Sequence, residues 1–359
     1  MRLPELARRV LRAPPMVIGE LRESDAGAWD GYVDSQPRAN CYHLRAWKRA
    51  AETAYGIEAP FLLARESPGG PVRGVLPLFV IGGAPGGKYL TTGLFGAYGP
   101  VLADAEAGEA LMGEALRRAR GANARFLAVK AVGAEPHARG FDPVDHWVVA
   151  RLPLAPAPDL LWRGFRDKTR NAIRKGQRSG LEWREGHSEL GGFYDVLAEN
   201  MHRKGAPIYG RSLFRELVRE LGERAQIVTL AHRGRVVSGA LVIRYGGVAT
   251  VPFASSRPSS FHLNPNNLLY WEIISRACQA GLHTLDFGRS LRGSSALAFK
   301  LGWGARTEAQ PMYVRAIRGP PPRFDATAPF VKVLVRLWRS LPRPFADALG
   351  PQVCRRWLA

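Results

Sequence analysis

Apolar positions recur at two spacings along this chain, every three to four residues in some segments and every second residue in others, and the alternation between them outlines the fold. Residues 40–56 set Leu44, Trp47 and Ala51 along one side of a helix. A strand follows over 61–65, then a Ser-Pro-Gly-Gly turn, strand-like residues 72–81, a Gly-rich stretch, a helix over 108–121 and a strand over 124–132. The second half repeats the order. Helix 211–225 leads into strand 226–232, the turn Arg233-Gly234-Arg235, strands 236–245 and 248–255, a polar loop, helix 267–281 and strand 283–290.

Aligning Gly74 with Gly239 and Phe126 with Thr284 superposes the two halves, so one α+β unit is used twice. The pattern predicts mixed sheets with flanking helices and ligands held where the units meet. Three prolines in residues 152–160 interrupt any regular element and mark the boundary. The resulting division is an N-terminal extension over 1–15, a first domain over 16–151, a second over 152–318 and a basic amphipathic tail over 319–359. In that tail Phe330, Leu334, Leu337, Trp338 and Leu341 fall at helical spacing with Lys332, Arg336 and Arg339 between them. The pattern fits a terminal helix packing on the body, the reading the sequence favours, and also an interfacial helix over 326–341.

Charge narrows the partners. The 359 residues carry a net charge of +20, which attracts nucleic acid, phosphorylated metabolites or an acidic membrane surface. Cys41, Cys278 and Cys354 stand in no metal-binding or disulfide spacing, and no apolar run approaches the ~20 residues of a membrane span. No signal peptide is read in the first residues, which points to a cytoplasmic location or the cytoplasmic face of the inner membrane.

Four stretches could carry chemistry. Residues 161–178 read as one helix in which Arg166, Lys168, Arg170, Arg174, Lys175 and Arg178 face a single acid, Asp167. Such a run is a solvated face or a phosphate-binding row of guanidinium groups. Residues 283–305 form a strand ending in Asp286, Arg289 and Ser290, followed by a short strand on which Lys300 alternates with Phe299 and Leu301 and reaches a cavity or an open edge. Ser290 lacks the spacing of a nucleophile elbow. In the third stretch Asn266 or Asn267 caps a helix, behind a loop whose Phe253 and Phe261 suit a wall over a substrate. In the fourth, Arg203, Lys204 and Tyr209 lie between two helices, where binding groups concentrate.

The residues of 165–183, 200–218 and above all 266–305 resemble the FemAB-type peptidyltransferases, in particular the branch associated with exopolysaccharide and PEP-CTERM protein-sorting systems. The resemblance spans about 16–318 and implies two tandem GNAT-like (acyl-CoA N-acyltransferase-like) domains, with no metal and no bound cofactor. It implies that Phe299 and Lys300, with Trp303 close by, lie at the reacting ends, with Lys300 as the catalytic group steadying an oxyanion. Arg166, Lys168, Arg170, Arg174, Arg203, Lys204, Tyr209, Asn267, Asp286, Arg289 and Ser290 would then bind substrate. The implied activity is acyl or aminoacyl transfer to an amine of an anionic nucleotide- or lipid-linked envelope precursor. The long coiled-coil arm of some members has no counterpart, which weakens an aminoacyl-tRNA donor. The glycine-rich loop that holds acetyl-CoA is not evident either, which weakens an acyl-CoA donor. The rival reading is a non-catalytic polyanion-binding protein, against which the chain shows no aromatic RNA-binding platform and no helix-turn-helix. A scaffold without activity is a third.

Overall fold

The computed structural model describes residues 16–83, 87–320 and 328–357. The extension 1–15, part of the Gly-rich stretch (84–86) and residues 321–327 of the Pro-rich break, with them the start of the 326–341 segment, lie outside the described residues.

The first half runs β1 (Val17–Glu20), α1 (Ala26–Ser35), α2 (Arg45–Tyr55), β2 (Leu62–Arg65), β3 (Val72–Leu76), β4 (Phe79–Gly83), β5 (Gly87–Thr91), β6 (Leu102–Ala103), α3 (Ala105–Gly121), β7 (Phe126–Lys130) and β8 (Asp142–Val144). After it come β9 (Trp147–Pro153), α4 (Pro158–Gly164), α5 (Asp167–Arg178), β10 (Leu181–Glu185), α6 (Leu190–Lys204), α7 (Arg211–Leu221), β11 (Ala225–His232), β12 (Arg235–Tyr245) and β13 (Val248–Ser256). The chain continues through α8 (Pro265–Gln279), β14 (Thr284–Leu291), α9 (Ser295–Leu301), β15 (Arg306–Ala309), β16 (Met312–Ala316), α10 (Pro329–Ser340) and α11 (Arg343–Trp357).

The duplication is visible in the pairing. β1, β2 and β3 form an antiparallel meander, as do β10, β11 and β12, and each half then contains one parallel pair, β5 with β7 and β13 with β14. Gly74 and Gly239, matched by sequence, occupy equivalent rungs, opposite Ala64 and Thr229. Two GNAT-like units in tandem describe the fold. In the first unit Pro77 separates β3 from β4 and the sheet splits, whereas β12 runs unbroken.

The units are interlaced. β9 pairs with β14 inside the seven-stranded sheet of the second unit, and β16, at the far end of the chain, pairs with β7 in the first. The 151/152 division falls within β9. A shared core reinforces the exchange: α2 buries Trp47, Ala50, Ala51 and Tyr55 against α7, which offers Leu213, Phe214, Leu217 and Val218 at i, i+1, i+4 and i+5. Tyr55 Oη accepts the Gly210 N–H at 2.6 Å, and Arg49 pairs with Glu220 at 3.2 Å across the same seam.

Four local expectations are corrected. Residues 161–178 form two helices, α4 and α5, because Phe165 and Arg166 adopt extended backbone between them. Lys300 stands on helix α9, capped by Ser294 Oγ, and not on a strand. α8 begins at Pro265 after Asn264 in left-handed conformation, so Asn266 and Asn267 sit in its first turn. Asn266 Oδ1 there accepts from Ser256 Oγ at 2.6 Å. The tail helix α10 does not pack through its regular apolar stripe: Phe330, Leu334 and Leu337 are exposed, and Val331, Val335 and Trp338 face the body.

Candidate active site

β13 and β14 are bridged only from Val248↔Thr284 to Thr250↔Asp286, and past that rung the parallel strands separate. A bulge in β14 is the local cause. Its register against β9 shifts between Asp286 and Arg289, Gly288 takes φ 72°, and the Gly288 N–H donates to Asp286 Oδ1 at 2.7 Å. Only glycine adopts this conformation at low cost, and a Cβ there would press on Val251 O at 3.0 Å. The extra residue turns Asp286 and Arg289 toward different cavities.

The first cavity, about 220 Å³, lies at the separation of the strands. The second unit contributes Asn200, Lys204, Tyr209, Phe253, Gly288 and Arg289, and the first unit closes the space with Tyr42, Trp47 and the loop 94–97. Arg289 lies along Gly96, whose φ of 94° and missing side chain leave room for the guanidinium, and over the Trp147 ring at 5.0 Å. The preceding Phe95 is held at φ 52°, a costly conformation for an aromatic residue, and packs on Tyr209 with ring centroids 4.5 Å apart. Neither Arg289 nor Lys204 has an acidic partner among the described residues, and no carboxylate lines this cavity. The guanidinium is open to the cavity but walled by protein, which lowers the pKa of Arg289. Burial, then Arg203, lowers that of Lys204. Arg289 and Lys204 are both exposed to the open cavity, and two such cations without a counter-charge form an anion site.

The second cavity, about 580 Å³, opens on the opposite side of the bulge and includes Arg38, Cys41, Tyr98, Arg151, Asp286 and Glu308. Its charges are internally matched. Asp286, 1% exposed, accepts from Tyr98 Oη at 2.5 Å and from Arg151 Nε at 3.3 Å, and Arg151 also pairs with Glu308 at 3.0 Å. Tyr42 of the first cavity and Tyr98 of the second touch edge to face at 5.0 Å, so a thin aromatic wall separates them.

Lys300 lies behind the wall. Its ammonium donates to Gly288 O at 2.8 Å and Arg289 O at 3.1 Å, lines neither cavity, and fixes the end of the bulge from which Arg289 projects. Burial lowers its pKa to about 8, with Arg289 and Lys204 acting the same way and Asp286 opposing them. Lys130 at the end of β7 is placed similarly: its ammonium donates to Gly93 O at 2.8 Å, and burial with the nearby Arg289 lowers its pKa to about 7.

The structure therefore gathers Lys204, Tyr209 and Arg289 in one cavity, sets Asp286 in the other and Lys300 behind them. It leaves the rest outside. Lys168, Arg170 and Arg174 project from α5, whose buried face of Thr169, Ile173 and Gly176 packs on α8, Arg166 directly precedes α5, and none of the four lines either cavity. Arg170 pairs with Asp167, and Arg174 covers the Trp162 ring at 5.3 Å. Arg203 donates to Asn200 Oδ1 at 2.9 Å, and Asn267 is half-buried in α8. Ser290 is buried, its hydroxyl without a protein partner. Phe299 and Trp303 belong to the apolar core, Trp303 meeting Phe165 edge to face at 5.3 Å. Phe253 stands on β13 in the cavity wall, and Phe261 is exposed. Sequence reasoning missed Tyr42, Trp47, Phe95 and Gly96; the run of glycines at 93, 96 and 99 was the available signal. Among the described residues no group of His, Cys, Asp or Glu is gathered in metal-binding geometry, and the three cysteines are buried and unpaired.

Residues 163–300 match a family model described as an acetyltransferase (GNAT) domain. No curated protein matches the chain by sequence. Among solved structures, FemX superposes with a TM-score of 0.66 at 15% identity, over 84% of this chain and 98% of FemX. A tandem GNAT protein from the clavulanic acid biosynthesis pathway gives 0.55 at 12% identity, over 85% and 99%. The C-terminal domain of a candidate lysylphosphatidylglycerol synthetase from Agrobacterium fabrum gives 0.54 at 16% identity, over 81% and 91%. At these identities the likeness is one of fold.

Proposed function

We propose that this tandem GNAT-fold protein is an acyl- or aminoacyltransferase that modifies an amine of a phosphate-bearing cell-envelope precursor at the cytoplasmic face of the membrane. The observation that carries the reading is the cavity where β13 and β14 part, in which Arg289 and Lys204 face open space without a counter-charge. Likeness to FemX, and to a protein named for lysyl transfer to a phospholipid, favours this reading over other uses of the fold.

The reaction joins a neutral amine to the carbonyl carbon of an activated ester or thioester. The C–N bond forms, the C–O or C–S bond breaks, and the departing oxygen or sulfur takes up the proton released by the amine. Arg289 and Lys204 hold the anionic part of a substrate, and the guanidinium also steadies the negative charge that develops on the carbonyl oxygen. Lys300 acts as a positioning residue through the carbonyls of Gly288 and Arg289. Both an aminoacyl-tRNA and an acyl-CoA are ester or thioester donors of the required class.

Arg289→Met tests the reading. Incubating protein, acyl donor and a nucleotide-linked muropeptide, and following the mass of the acceptor, should show transfer by the native chain and a KM raised roughly tenfold in the variant, the loss expected when one charged hydrogen bond is removed. A dephosphorylated acceptor should be used poorly by both. Equal use of the two acceptors by the native chain would remove the anion-site assignment.

The outward face of α5 favours a second reading, the binding of a polyanion by charge alone. Under it, affinity for random RNA falls steeply with salt and is indifferent to Arg289→Met.

A further inference from the structure

Among the described residues eleven large apolar side chains are exposed, and six of them, Phe330, Val333, Leu334, Leu337, Phe345 and Leu349, fall within twenty positions on α10 and α11. Single exposed apolar residues are ordinary, but a contiguous ridge is not. Around α10 three faces follow one another: Val331, Val335 and Trp338 toward the body, then the apolar ridge, then Lys332, Arg336 and Arg339.

The helix is firmly seated. Val335 packs directly on Gly205, Arg339 donates to Lys204 O at 3.4 Å, and the His202 ring bonds Leu341 O at 2.9 Å. These contacts set the body-facing and basic sides of α10 against the end of α6, where Lys204 is a wall residue of the 220 Å³ cavity, and leave the ridge open.

We propose that α10 and the first turns of α11 are a membrane-docking surface for an anionic bilayer. Charge selects this occupant. No acidic residue occurs from 329 to 346, where Lys332, Arg336 and Arg339 fall, while Arg343 is already paired with Asp347 at 3.3 Å and Glu199 at 3.7 Å, and the chain as a whole carries +20. Two copies meeting through this face would repel, whereas an anionic leaflet attracts each basic residue near its surface by about 1 kcal/mol. The apolar side chains then enter the boundary between headgroups and acyl chains, as in an interfacial amphipathic helix. The inference stands on the exposed ridge and does not require the transfer reaction.

Flotation of the full chain with vesicles of phosphatidylglycerol and phosphatidylcholine, compared with phosphatidylcholine alone, tests it. Strong binding to the anionic vesicles and weak binding to the neutral ones is expected. Leu334→Glu with Leu337→Glu should lower the partition roughly tenfold while thermal unfolding is unchanged, since both side chains are exposed. Lys332→Glu with Arg336→Glu should reduce the preference for anionic vesicles. Failure of the native chain to float, or equal flotation of the Leu334→Glu, Leu337→Glu variant, overturns the proposal. So does a native dimer that this variant converts to monomer with flotation intact, which would make the ridge a contact between copies.

Discussion

At the residue scale, Lys300 shows how one side chain can matter to a site it does not line. Its ammonium satisfies two carbonyls at the β14 bulge, and truncation strands both. Lys300→Met should therefore cost about 1–2 kcal/mol at neutral pH, read from urea unfolding. The pH dependence reports a separate effect, the burial of the charge. The folded pKa is about 8 against an ordinary 10.5, so between those values the unfolded chain binds a proton that the folded protein lacks. Stability of the native chain then gains a rising component from about pH 8 toward 10.5, and Lys300→Met should lose that component. Sequence singled out this lysine as the catalytic group and set it on a strand, whereas it stands on α9 and lines neither cavity. The error arises because Phe299, Lys300 and Leu301 alternate over a segment too short to distinguish a strand from the seven-residue helix capped by Ser294.

At the element scale, α5 illustrates the difference between charge and site. Its basic row was evident from sequence, yet its orientation is set by the apolar side, where Gly176 lets the helix approach α8. A Cβ at 176 would lie 2.9 Å from Leu268 Cβ and 3.3 Å from Asn264 O. Gly176→Ala should lower the melting temperature, because an overpacking cost of about 1–3 kcal/mol exceeds the ~1 kcal/mol gain in helix propensity. An increase in melting temperature would mean that α5 and α8 are not closely packed. Helix periodicity was legible here, as it was for α2, α7 and α8. The break at Phe165 was marked only by Gly164, a signal passed over because the basic periodicity continues across it, and the extended backbone there is stabilised by packing on Trp271 and Trp303.

At the scale of the molecule, strand exchange binds the units together. β9 is needed by the second sheet and β16 by the first, and α2 and α7 share a core across the seam. Heating should give one cooperative transition with equal calorimetric and van't Hoff enthalpies. Residues 16–151 expressed alone should lack native near-UV circular dichroism, since they leave β7 without β16 and remove the apolar face of α7. Two separate transitions would contradict a shared core. The division read near residue 152 rested on prolines, a local signal, and a local signal does not report which sheet a strand enters.

The order of elements, the use of one unit twice and the positive charge were determined by the sequence alone, because periodicity, turn residues and net charge are properties of short stretches or of simple sums. Only the tertiary structure decided that β14 bulges at Gly288, that Arg289 and Lys204 face one cavity while the basic row of α5 faces away, and that the ridge of α10 stays open. The physical reason is that a side chain's surroundings depend on segments distant in the chain. Gly96 makes room for Arg289, and Gly205 seats Val335, through contacts that no local pattern encodes.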